Sequence, residues 1–114
     1  MARRRGKESR MSQAVSYAYE HATGERPSLF DQFAACRAYA EANGHTIVGE
    51  FNDIDMADHP DQRAGIESIR SFLANDPTTV VLIYKPDSMV TEQFSAIGAK
   101  VEGVGPLIGR TATA

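Results

Sequence analysis

The chain has 114 residues, 42% of them apolar, and a formal net charge of −3. That length implies one domain, with a core large enough to fold without metal or disulfide staples. Cys36 is the single cysteine, which excludes a disulfide framework and a Cys-based zinc site and makes a reducing, cytoplasmic setting the default; no apolar run approaches the ~20 residues of a spanning helix.

Charge is unevenly distributed. Residues 1–12 carry Arg3, Arg4, Arg5, Lys7 and Arg10 against Glu8, a balance of +4, whereas the rest of the chain is net −7. A basic tail on an acidic body contacts a polyanion through the tail alone, so weak DNA contact is assigned to those five side chains and none to the body. No apolar segment follows the basic residues, so they are not read as a secretory signal. Residues 1–12 are expected to be a disordered tail, 13–105 an α/β domain, and 106–114 a loose C-terminal tail.

Ala14 to Tyr19 is short and rich in Val and Tyr, as a strand is. Gly24 to Pro27 reads as a turn. Ser28 is then a helix N-cap, with Asp31 three residues on as a weak capping box. Leu29, Phe33, Cys36 and Ala40 recur at helical spacing, and Asp31, Gln32, Arg37 and Glu41 fall away from that stripe. Asn43-Gly44 stops the helix. Thr46 to Phe51 reads as a second strand and Asn52 to Pro60 as a loop. Arg63 to Leu73 is helical, with Ile66, Ile69, Phe72 and Leu73 on one face, and Asn75-Asp76-Pro77 ends it. The run Thr79 to Tyr84 is continuously apolar after its first residue, as a central strand covered on both faces is. A short helix over Thr91 to Ile97 and a weaker strand over Lys100 to Val104 follow.

This alternation predicts an α/β fold, a small, mainly parallel four-stranded sheet with helices on both faces. Sites in such sheets lie beyond the carboxyl ends of the strands. Those ends are Tyr19-Glu20-His21, Asn52-Asp53 and Lys85-Pro86-Asp87.

Five blocks in order, Y-A-x-x-x, S-L-F-D-Q-F-A-A-C-R-A-Y-A-E-A-N-G-H, I-V-G-E-F-N-D, Q-R-A-G-I and V-V-L-I-Y-K-P-D-S-M, resemble the N-terminal catalytic domain of the serine recombinases, the resolvase/invertase family, over about residues 14–91. In that family a serine on the first motif attacks a DNA phosphodiester, and arginines neutralise the phosphate, because guanidinium forks match its oxygens two at a time. Carried over residue by residue, Tyr17 matches the family tyrosine, while Tyr19 and His21 stand where an arginine and the nucleophilic serine belong. Gln32, Asp53, Arg63 and Asp87 match family residues. Ser88 and Thr91 stand where two further arginines belong. The nucleophile and three of four arginines are replaced, and each phosphate-stabilising donor is worth on the order of 10²–10³ in rate.

The resemblance therefore implies a degenerate, truncated relative, catalytically inactive, used as a binding or regulatory module with a protein partner. Two alternatives are a non-functional remnant of a mobile-element recombinase and an enzyme of altered phosphodiester chemistry using His21. No cofactor, metal or membrane contact is expected. Asp53, Asp55, Asp58 and Asp61 lack the spacing of a calcium loop and read as a solvated acidic loop. Cys36 and His45 read as structural, as do Tyr17, Tyr19 and Tyr84, strand aromatics assigned to the core. Oligomeric state is left open.

Overall fold

A computed structural model describes residues 12–20, 26–53 and 64–105. The described residues form β1 (Ser12–Tyr19), α1 (Leu29–Asn43), β2 (His45–Asp53), α2 (Ala64–Asn75), β3 (Val80–Tyr84), α3 (Ser88–Ala96) and β4 (Lys100–Val104). The strands make one parallel sheet in the order β2-β1-β3-β4. β1 and β3 are the inner strands. Residues Ala14 to Tyr19 of β1 and Val80 to Ile83 of β3 are all buried, so both lack the alternation of an edge strand.

α1 covers one face of the sheet, packing Ala35, Cys36 and Ala40 on Ala14, Val80, Leu82 and Val104. α2 and α3 cover the other, where Ile66, Ile69, Val90 and Phe94 meet Val15, Tyr17, Tyr19, Val81 and Ile83. The chain first crosses from β1 outward to β2, then returns past β1 to β3 and β4. Right-handed crossovers put α1 on one face and α2 and α3 on the other for that path. The reversal leaves a topological switch point between the carboxyl ends of β1 and β3.

β2 carries a bulge. Ala14 pairs with Ile47 but Val15 pairs with Gly49, so Val48 is an extra residue on the edge strand. The flip lets Ile47 face α1 while Phe51 faces α2. It also turns Glu50 toward α1, where its carboxylate takes a two-pronged bond from Arg37 at 2.8 Å. Gly49 gives room to Phe51, since a Cβ at residue 49 would stand 2.9 Å from the far edge of that ring and make it shift.

Several boundaries differ from the sequence reading. Ser12, assigned to the tail, opens β1, its amide donating to Gly44 O at 3.1 Å. β2 runs from His45 through Asn52 and Asp53, because β1 supplies a pairing partner for each end. α2 extends to Asn75. α3 starts at Ser88 rather than Thr91, because Asp87 is an N-cap whose side chain accepts from Val90 N at 2.8 Å. The Ser28 cap and the Gly44 stop are as expected; Gly44 adopts φ 74°, a left-handed conformation that suits glycine. Residues 1–11 and 106–114, which hold all but Ser12 of the expected N-terminal tail and the whole of the expected C-terminal one, lie outside the described residues.

Candidate functional site

All four strands point the same way, so Tyr19, Asp53 and Tyr84-Lys85 end on one side of the sheet, with the N-termini of the helices. Tyr17, Tyr19, Gln32, Asp53 and Asp87, all singled out in the sequence, have contacts there.

Asp53 ends β2 opposite Tyr19. One carboxylate oxygen accepts the Tyr17 hydroxyl at 2.7 Å and the other accepts the Gly65 amide at 2.8 Å. Asp53 thus clamps β1, β2 and the first turn of α2 together, and its charge faces the helix N-terminus. Gly65 permits this approach, since a Cβ there would lie 2.7 Å from both Asn52 O and Asp53 Oδ2. The Tyr17 ring meets Phe94 edge-on, with centroids 5.2 Å apart.

Gln32 corrects the expectation that it lies away from the core stripe of α1. It is fully buried. Its Oε1 accepts Tyr19 N at 3.2 Å, and its Nε2 donates to Tyr19 O and Pro27 O, both at 2.8 Å. Along β1, pairing with β3 ends at Tyr17. The Gln32 amide therefore extends the ladder to Tyr19 by imitating a strand.

Tyr19, at the position where the resemblance expects an arginine, is fully buried. Its hydroxyl oxygen accepts the Asp87 amide at 3.1 Å. Burial raises its pKa, and the Asp87 N–H directed at its oxygen works the other way. A cation is present beside it that the sequence reading missed. Arg26, assigned to a turn, lays its guanidinium over the Tyr19 ring, 3.8 Å from the centroid, and 5.9 Å from that of Tyr84. Its Nε donates to Tyr19 O at 3.2 Å and its Nη1 to Lys85 O at 3.0 Å. Its Nη2 donates to Gln32 Oε1 at 3.2 Å and to Tyr84 O. Arg26 fills the switch point between β1 and β3. Periodicity holds no signal for this, because its partners lie up to 59 residues away.

Asp87, Ser88 and Thr91 are placed by α3. Asp87 caps the helix, and Ser88 is exposed in its first turn. The Thr91 hydroxyl donates back to Asp87 O at 2.9 Å. Ser88, at a position where the resemblance expects an arginine, opens this helix. His21, Arg63, the acidic run Asp55 to Asp61, and the tail residues Arg3, Arg4, Arg5, Lys7 and Arg10 lie outside the described residues. Among the described residues no group of three His, Cys, Asp or Glu side chains could hold a metal ion, and no helix is long and apolar enough to cross a membrane.

A second polar cluster lies on the α1 face, at Tyr39, Glu102 and His45. The Tyr39 hydroxyl donates to Glu102 Oε1 at 2.7 Å, and His45 Nε2 lies 3.1 Å from the same oxygen. The Tyr39 bond and, after it, His45 hold the Glu102 carboxyl below its usual range. His45, read as structural, is the first residue of β2, one residue before the start that the sequence suggests. Cys36 is a core thiol, as expected. Its Sγ lies 3.7 Å from Leu82 O, and burial pushes its pKa up to about 12.

The fold has a solved counterpart. The crystal structure of the C-terminal catalytic domain of ISC1926 TnpA, an IS607-like serine recombinase, is similar, with a TM-score of 0.65 and 27% sequence identity over 83% of this chain and 72% of that one. The chain carries a serine-recombinase-like domain. No family model and no curated protein matches the sequence.

Proposed function

We propose that this recombinase-like domain is a catalytically inactive binding or regulatory module, with a protein partner, acting in the cytoplasm. The observation that carries the reading is the content of the strand-end crevice. Tyr19 stands at the position where the resemblance expects a phosphate-binding arginine, and the cation beside it, Arg26, directs Nε, Nη1 and Nη2 at protein oxygens. A phosphoryl-transfer site needs such donors aimed at the reacting phosphate. Asp53 and Asp87 have folding tasks as a clamp and a cap, and Tyr17 serves Asp53. The basic residues of the first twelve add a weak, salt-dependent DNA contact.

The test is a strand-cleavage assay on supercoiled plasmid, with denaturing gels to trap a covalent protein–DNA adduct. The expected result is neither cleavage nor adduct. Cleavage that disappears in His21→Ala would establish altered phosphodiester chemistry in its place. Affinity capture with the full chain and with residues 1–12 removed should recover the same protein partner. Salt-dependent DNA retention should be lost with the tail.

A further inference from the structure

The crevice at the switch point has the wrong polarity for an anion. Four oxygen atoms converge on it, the carbonyls of Tyr19, Tyr84 and Lys85 and the Oε1 of Gln32, and two tyrosine rings flank it. Oxygen acceptors and π faces attract cations. Their layout is also selective. A planar fork with five N–H donors can reach separated acceptors in one plane while stacking on a ring, which a compact ammonium on a flexible stem cannot do.

The backbone is shaped for this contact. Lys85 has φ 37°, in the left-handed region that L-residues enter at a cost. Its amide is held by Val104 O at 2.9 Å while its carbonyl accepts Arg26 Nη1. Gln32 is committed in the same way. Its Nε2 is taken by two carbonyls, which fixes the amide's orientation and leaves Oε1 toward Tyr19 N and the guanidinium. The acceptors are thus fixed by contacts other than those to Arg26.

We propose that Tyr19, Tyr84, Gln32 and the carbonyl ends of β1 and β3 form a guanidinium-binding site, occupied in cis by Arg26 and able to take an arginine side chain supplied in trans. The trans ligand rests on the binding-module reading above; the site itself does not. An arginine-presenting segment of a protein partner is the class of ligand it fits.

The experiment uses the full chain with Arg26→Ala. Thermal unfolding is followed with millimolar methylguanidinium, N-acetyl-arginine amide or methylammonium. Arg26→Ala should melt below the wild type. Methylguanidinium and N-acetyl-arginine amide should each restore at least half of the lost Tm, saturably, whereas methylammonium should not, and the wild type should not respond. Arg26→Lys should stay unrestored without added guanidinium. Equal effects on both proteins, or no effect on Arg26→Ala, would overturn the site. Rescue by methylguanidinium with failure of the arginine amide would overturn the partner-arginine ligand. If Arg26→Ala does not fold, the wild-type Arg26 side chain provides the readout. Its Nε–H should show a ring-current-shifted NMR resonance protected from exchange, and a solvent-averaged one would sink the proposal. These outcomes are independent of strand cleavage, so either reading can fail alone.

Discussion

Ser16 lies in the middle of β1 with its hydroxyl buried and without a hydrogen-bond partner among the described residues. Burying a hydroxyl without a hydrogen bond is unfavourable, so Ser16→Ala should raise stability by about 1 kcal/mol, read from urea unfolding. Gln32 is the opposite case. Replacing it with Leu keeps the bulk but leaves Tyr19 N without its acceptor and removes a donor from the carbonyls of Tyr19 and Pro27. That substitution should cost roughly 2–3 kcal/mol in the same measurement, and a loss below about 1 kcal/mol would refute the ladder-extending role. Neither behaviour was legible in the sequence. A polar side chain on an amphipathic pattern is assigned to water by default, and the partners that reverse the assignment for Gln32 sit on another element. Arg26 escaped for the same reason, whereas Asp53 and Asp87, like Gln32 itself, stood out as positions because a spaced motif carried them.

Helices and strands were easier to find than their ends. Ser28 and Gly44 are local signals acting within a few residues, and both boundaries of α1 were legible from them. β2 was longer than its apolar residues suggest, because Asn52 and Asp53 are strand residues through pairing with Ala18 and Tyr19. The Val48 bulge left no trace in the sequence, since it arises from matching two faces at once. α3 begins three residues before Thr91 because Asp87 caps it, a role that its place in a family motif does not signal. Its capping role gives a direct prediction. Asp87→Ala should destabilise by about 1 kcal/mol, while Asp87→Ser, which keeps an acceptor, should recover most of it, with urea midpoints as the measure. An equal loss in both variants would assign the residue's value to its charge.

The sheet as a whole was legible because alternating strand and helix patterns leave few parallel arrangements, and the end that carries the crevice follows from parallelism alone. The strand order was not legible, since no local signal says which strand crosses back over β1. The thiol beneath α1 offers a test of the assembled core. Burial raises the Cys36 pKa from 9.0 to about 12. The folded thiol keeps its proton while the unfolded one loses it above about pH 9, so this contribution is complete below that value and is lost as pH rises toward about 12. Wild-type stability should fall through that window by up to about 1.4 kcal/mol per pH unit more steeply than Cys36→Ala, as denaturation at successive pH values would show. Parallel slopes for the two proteins would remove the thiol from the account.

The position of β1 has one more consequence. β1, the first of the described strands, is flanked on both sides by strands made later, and its pairing with β3 joins Tyr17 to Ile83. Sheet formation must therefore close loops of many tens of residues before hydrogen bonds compensate the lost chain entropy. On a translating ribosome, Val15 to Tyr19 would lack its β3 partner until Tyr84 had cleared the exit tunnel. Until then the Tyr17 and Tyr19 rings lack Ile83, Val90 and Phe94, which help bury them in the finished domain.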